Sequence, residues 1–264
     1  MTFNPIVVAP MSNMFPMAGS NPQQLVVNQL TVNYRYIQAL ENVSFTLNTG
    51  KLVGVVGPNG AGKSTLIKAM LGLIPTVAGT VRYGTRPLTE QLGHTAYVPQ
   101  RSQIDWTFPA TVWDVVLMGR VAKSGWFHRL STVSKQVAMA ALERVGMAEY
   151  HDRRLGSLSG GQQQRVFLAR ALAQEANIFF LDEPFIGVDQ TTEAILFRIF
   201  RELATAGKTV IVINHDLGES ITQFDQLLVL NRKLIATGTP QEVLTKATMT
   251  RAYGEQVSFF ANVA

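Results

Sequence analysis

One eight-residue stretch restricts this chain more than any other. Gly57-Pro58-Asn59-Gly60-Ala61-Gly62-Lys63-Ser64 follows a compact apolar segment, LVGVV, and precedes STLIKAMLGL, where apolar residues recur at helical spacing. Strand, glycine-rich loop and helix, in that order, are the context a phosphate loop requires. The glycines let backbone N–H groups turn inward around a phosphate, and the helix N-terminus adds its dipole. Lys63 would place a cation on the β- and γ-phosphates, Ser64 would give its hydroxyl to Mg²⁺, and Thr65 sits where a further phosphate contact is available. Average composition produces such a pattern in about one chain in a hundred of this length. By itself the loop specifies a nucleoside triphosphate and leaves its use open.

The text around the loop reads as an α/β protein. Residues 25–47 give β-rich segments, LVVNQLTVNY and ALENVSFTL. Over about 101–173 the apolar period becomes helical through TVWDVVLMGRV, KQVAMAALERVGM and QQQRVFLARALA, which predicts an inserted helical lobe. Strand signals return at Ile178–Leu181 and Thr209–Ile213 with a helical stretch, Thr191–Ala206, between them. Strand, helix, strand implies a parallel sheet. A last β-rich piece, QLLVLNRKLIATG, precedes a short helical tail. The expected layout is therefore a flexible tail over 1–24 and a single domain over 25–264. Within it lie a core (25–100 and 174–240), the lobe, and a C-terminal helical tail (241–264).

Composition sets limits on this reading. With 264 residues, 47% of them hydrophobic, the chain can bury one substantial core. No run approaches the roughly 18 consecutive apolar residues that cross a bilayer. The first 24 residues carry no Lys or Arg and are broken by Pro5 and Pro10, a poor secretory signal. Cysteine is absent, which rules out disulfides and fits a reducing compartment. The net charge of +5 comes from scattered basic residues, so it reads as solvated surface plus a phosphate site. His94, His128, His151 and His215 show no ligand-like spacing, and Mg²⁺ is the only metal expected.

Two further segments carry chemistry. Ile178-Phe179-Phe180-Leu181 is an apolar strand that stops on adjacent carboxylates, Asp182 and Glu183, at the end of the sheet where the phosphate loop also opens. Asp182 would reach Mg²⁺ directly or through water; Glu183 would orient, and take a proton from, the water attacking the γ-phosphate. In Leu158-Ser159-Gly160-Gly161-Gln162, the serine and glycines open a helix and present a hydroxyl and N–H groups as an anion site.

LSGGQQQRV, together with the phosphate loop and IFFLDEP, resembles the signature set of the ABC ATPases, and the resemblance covers nearly the whole chain. It implies a P-loop NTPase (RecA-like) core with a mainly parallel sheet, an N-terminal antiparallel β portion and an inserted helical lobe. It also implies that Ser159, Gly160, Gly161 and Gln162 of one subunit cap the γ-phosphate on the phosphate loop of a second, in a head-to-tail homodimer. By the same resemblance, Gln100 in YVPQ senses Mg²⁺ and the attacking water and links core to lobe. His215 in VINHD contacts the γ-phosphate, and Asp189 reaches across the dimer. Tyr34 lies where the family stacks an aromatic ring on adenine, a role Tyr36 could also fill. Ile186, Gly187 and Asn214 depart from the commonest pattern without removing a catalytic group.

The resemblance implies an ATP hydrolase coupled to transport, peripheral on the cytoplasmic face of the inner membrane. Its implied cofactors are ATP and Mg²⁺; its implied partners are membrane-embedded permease subunits and a solute-binding protein, with no nucleic acid. DNA-repair, chromosome and translation ATPases share the core, but the chain has neither a long coiled coil nor a second core. Asp105, Trp106, Phe108 and Pro109, within RSQIDWTFPATVWDVVLMGR, resemble the matching segment of bacterial manganese, zinc and iron uptake ATPases, as does GVD after EPF. Trp106 and Phe108 serve equally well as apolar anchors against a partner. Manganese is the first expectation for cargo, zinc or iron the second, and a chelated-iron or cobalamin importer the alternative.

Overall fold

Alternation of apolar and polar residues builds the first two strands, β1 (Gln24–Tyr34) and β2 (Ile37–Asn48), which pair antiparallel with Leu25, Val27, Leu30 and Val32 turned inward. The computed structural model describes residues 23–124, 130–214 and 218–254. Of the tail expected over 1–24, residues 1–22 lie outside this set, and Gln24 already opens β1.

The remaining strands are β3 (Leu52–Val56), β4 (Ala78–Tyr83), β5 (Arg86–Pro87), β6 (Thr95–Val98), β7 (Ile178–Asp182), β8 (Thr209–Ile213), β9 (Gln226–Asn231) and β10 (Lys233–Gly238). The helices are α1 (Lys63–Met70), α2 (Val112–Met118), α3 (Val121–Ser124), α4 (Thr132–Arg144), α5 (Gly160–Ala173), α6 (Gln190–Thr205), α7 (Pro240–Val243) and α8 (Lys246–Tyr253). One sheet, in the order β2-β1-β4-β5, is antiparallel. The other runs β10-β9-β3-β8-β7-β6, parallel except for β10 on its edge.

Strands β3, β7 and β8 are buried at every position, as expected for a parallel sheet covered on both faces. Successive residues serve opposite layers. Val53, Val55, Ile178, Phe180, Ile211 and Ile213 pack with Leu66, Ile67 and Met70 of α1 and with the antiparallel sheet. Leu52, Val56, Phe179, Leu181, Val210 and Val212 pack with α5, α6 and the lobe. Each fully buried phenylalanine or aliphatic side chain contributes about 1.5–3 kcal/mol, so the central strands hold the site from beneath.

The lobe expected over 101–173 is helical, and no strand crosses it among the described residues. Thr111 and Asp114 form a capping box that starts α2, and Ser131 caps α4. Arg170 on α5 donates to the Tyr97 carbonyl of β6 at 3.0 Å, fastening lobe to core. Strands β4 and β6 lie in a stretch with no clear strand pattern. β4 is mostly exposed and lacks alternation, and β6 has only four residues. Helix α6 begins one residue earlier than its periodicity predicts because Asp189 caps it. The expected C-terminal helical tail holds α7 and α8, with 255–264 outside the described residues.

Candidate functional site

Strand β3 ends at Val56 and α1 begins at Lys63, so the phosphate loop spans the six residues between them. Two of its glycines are dictated by close approach. Gly57 has φ 153°, and a Cβ there would meet the Leu230 carbonyl oxygen at 2.0 Å; Gly62 has φ 92°, and its Cβ would lie 2.6 Å from the Ala39 oxygen. Any side chain at either position forces the loop off its support.

Lys63 is buried, and its Nζ donates to the carbonyls of Gly57 at 2.7 Å and Pro58 at 3.0 Å. Burial pulls its pKa below the ordinary lysine value, while the charges of Glu183 and Asp182 hold it up. The cation thus bridges the start of its own loop and faces the acidic end of β7.

Ser64 Oγ donates to Asp182 Oδ1 at 2.9 Å, joining residues 118 positions apart. Beside them, the Gln100 amide donates to Glu183 Oε2. Glu183 sits in the left-handed region at φ 56°, a strain of about 1–3 kcal/mol for a non-glycine residue. The residue follows the last position of β7, and it borders an open cleft of about 770 Å³. The cleft is lined by Asn59, Gly60, Ala61, Gly62, Lys63, Ser64, Thr65, Gln100, Glu183 and Ile186. Its size is that of a small-molecule site.

The donors around Ser64 suit a hard cation. A hydroxyl, the Asp182 carboxylate and the Gln100 side chain are all oxygen ligands, and the 2.9 Å Ser64–Asp182 contact already brings two of them together. Among the described residues no cluster of three or more His, Cys, Asp and Glu could hold a metal unaided. This arrangement fits Mg²⁺, which keeps waters and takes phosphate oxygens as part of its shell.

The remaining expected residues divide in two. Gly57 and Pro58 touch Lys63 through their carbonyls without lining the cleft. Tyr34, half exposed at the end of β1, and the fully exposed Tyr36 also stand outside the lining. His215 lies outside the described residues.

The signature residues form a separate face. Ser159 caps α5: its Oγ accepts the Gln162 N–H at 3.3 Å, and its own N–H donates to Gln162 Oε1 at 2.9 Å. Asp189 caps α6 by accepting the Thr192 N–H at 2.6 Å, and that bond holds its carboxyl below the usual range. The two helix starts adjoin, since a Cβ on Gly161 would lie 3.1 Å from Thr192 Oγ1. None of these residues lines the cleft.

Sequence reasoning missed two participants. Ile186, noted only as a departure, walls the cleft beside Glu183. Arg101 donates to Gln163 Oε1 of α5 at 2.9 Å and lies over the Trp106 ring. Its place directly after Gln100 was the available signal. Of the two expected partner anchors, Trp106 is half-buried and packs edge-on against Phe167 of the lobe at 5.5 Å, while Phe108 is exposed.

A phosphate loop and paired carboxylates at the carboxyl ends of a parallel sheet, with a helical lobe attached, define a phosphate-loop nucleoside triphosphatase. Residues 40–186 match the family described as ABC transporter. The chain is 49% identical to a probable ABC transporter ATP-binding protein of Cyanophora paradoxa, covering 89% of this chain and 97% of that one. It is 48% identical to the manganese transport system ATP-binding protein MntB of Listeria monocytogenes, over 90% and 99% of the two chains. It is 47% identical to the zinc transport system ATP-binding protein TroB of Treponema pallidum, over 88% and 87%. Among solved structures, the ADP conformation of an ATP-binding cassette of an ABC transporter superposes with a TM-score of 0.76 at 26% identity, covering 88% of this chain and 99% of that one. This chain belongs to the ABC transporter family, as an ATP-binding subunit that couples ATP hydrolysis to transport.

Proposed function

We propose that this chain energises uptake of a metal ion, manganese before zinc or iron, by binding and hydrolysing ATP in the cleft above β3 and β7. The observation that carries the hydrolytic half is the convergence of Ser64, Asp182, Gln100 and Glu183 on one phosphate loop. The cargo rests on the manganese and zinc transport proteins that this chain resembles at 47–48% identity.

In this reading the phosphates displace the Gly57 and Pro58 carbonyls as partners of Lys63, and the loop N–H groups from Asn59 to Thr65 surround them. Ser64, Gln100 and Asp182 would hold Mg²⁺, which would supply positive charge beside the phosphates. Glu183, steadied by Gln100, takes the proton of the attacking water. His215 contacts the γ-phosphate and Tyr34 stacks on adenine. Ser159, Gly160, Gly161 and Gln162 close the site of a second copy, with Asp189 reaching across the pair. The separation of signature and cleft within one chain supports that arrangement, because each copy then holds two incomplete halves.

The residues from 25 to 264 act as one ABC ATPase domain, preceded by a tail. The lobe docks on membrane-embedded permease subunits at the cytoplasmic face, a solute-binding protein delivers cargo, and no nucleic acid takes part. No helix among the described residues is long and apolar enough to cross a membrane, and the permease supplies that path.

Cells carrying either the wild-type chain or Glu183→Gln, grown with scarce metal, test the cargo by elemental analysis. Manganese content is expected to fall severalfold in the variant with zinc and iron held. Selective loss of zinc or iron reassigns the cargo, and unchanged contents of all three overturn metal uptake.

A further inference from the structure

The phosphate loop is supported from behind by a segment that no part of the nucleotide chemistry uses. Strand β9 runs parallel beside β3, with Val56 opposite Val229, so the chain leaves β9 directly beneath the loop. Arg232 is the only residue between β9 and β10, and it holds the left-handed conformation, φ 56°. Its N–H donates to the Ala61 carbonyl at 2.9 Å, and its own carbonyl accepts the Glu41 N–H of β2 at 2.8 Å. The Leu230 carbonyl fills the space where a side chain on Gly57 would stand.

The Arg232 bond has a geometric consequence. Across a trans peptide the C=O and N–H point in opposite directions. Fixing the Ala61 carbonyl toward Arg232 turns the N–H of Gly62 to the other side, where Gly62 lines the cleft. An inward N–H at that position is a phosphate donor, so the β9–β10 turn sets the orientation of a binding group that it never touches.

The turn is itself anchored by the C-terminal helix. Asn231 Nδ2 donates to the carbonyl of Ala252 at 2.8 Å, satisfying one of the last-turn carbonyls of α8 that lack a helical partner. The next residue, Tyr253, packs on the core and places its phenol against the backbone of Gly57. Burial raises that phenol's pKa to about 12, so it stays neutral at all ordinary pH. Helix α8 thus reaches the phosphate loop at two points, through Asn231 and the turn to Ala61, and through Tyr253 to Gly57.

We propose that α8 and the β9–β10 turn form a brace that holds the phosphate loop in its phosphate-binding conformation, with Asn231 and Tyr253 as positioning residues that set nucleotide affinity. This rests on the loop being the nucleotide site. The brace acts before the chemical step, so it alters binding and leaves the committed complex alone.

The test is titration of the full-length chain with mant-ATP in the presence of Mg²⁺, alongside steady-state hydrolysis. Asn231→Ala is expected to raise the mant-ATP Kd about fivefold, the effect of one hydrogen bond, while kcat at saturating ATP stays within about twofold. Asn231→Gln, which keeps an amide donor, recovers part of the affinity. An unchanged Kd in Asn231→Ala, or a loss confined to kcat, overturns the brace. If Asn231→Ala does not fold, Tyr253→Phe, which removes a single oxygen, is titrated in its place; it is expected to weaken binding in the same direction, and an unchanged Kd there overturns the proposal. A wild-type chain that fails to bind mant-ATP overturns the nucleotide site itself, an outcome distinct from a wild type that binds and variants that bind equally well.

Discussion

The Glu183→Gln chain is expected to hydrolyse ATP about a hundredfold or more slowly than the wild type while still binding it. Glutamine matches glutamate in shape but cannot accept a proton at pH 7, so the exchange removes the base and little else. The local structure limits collateral damage. Position 183 keeps its strained left-handed backbone with either residue, and the Gln100 amide can still donate to the oxygen of a glutamine side chain. Lys63 loses one of its two neighbouring negative charges but keeps Asp182. Phosphate release at saturating ATP reads the effect, and equilibrium binding shows that the cleft survives. Rapid turnover by this variant would remove Glu183 as the base.

Lys63→Ala is expected to weaken ATP binding itself, by about a hundredfold. Two charge-assisted contacts to phosphate contribute about 1.5–3 kcal/mol each, part of which is offset by the carbonyl bonds that Lys63 gives up. The substitution also leaves the Gly57 and Pro58 carbonyls without their donor, so the loop should loosen as well. Comparing thermal unfolding with nucleotide affinity separates the two consequences: a modest fall in Tm with a large fall in affinity is the expected pattern. Unchanged affinity would contradict the role assigned to the lysine.

The parts of the fold legible in the sequence were those where a single local rule decides the outcome. β3, β7 and β8 read as buried strands because every position is apolar apart from Gly54, the opening Thr209 and the final Asp182. The loop was readable because glycines at 57, 60 and 62 and the Lys-Ser pair satisfy one chemical requirement. Ser159 and Gln162 even carry the spacing of a capping box, which is how the structure uses them within one chain. β4 and β6 escaped because one is exposed and irregular and the other very short.

Contacts made by backbone atoms were illegible for a different reason. The bond from the Arg232 N–H to the Ala61 carbonyl depends on no side chain, and nothing in the letters near 232 points to residue 61. The Ser64–Asp182 pair joins two side chains, but they lie 118 positions apart and only the fold brings their oxygens to 2.9 Å. The packing of Trp106 on Phe167 was equally hidden, because an aromatic residue in a lobe segment fits an interface as well as a core.

The central prediction is that ATP is held by the phosphate loop of one copy and closed off by Ser159, Gly160 and Gly161 of another. Sedimentation velocity of Glu183→Gln, with and without Mg²⁺-ATP and with bound nucleotide counted, measures this directly. A species of twice the chain mass that forms only with ATP and carries one nucleotide per chain is the expected result. A chain that retains ATP yet stays monomeric at concentrations far above its nucleotide Kd, and whose ATPase is indifferent to Ser159→Arg, would contradict it.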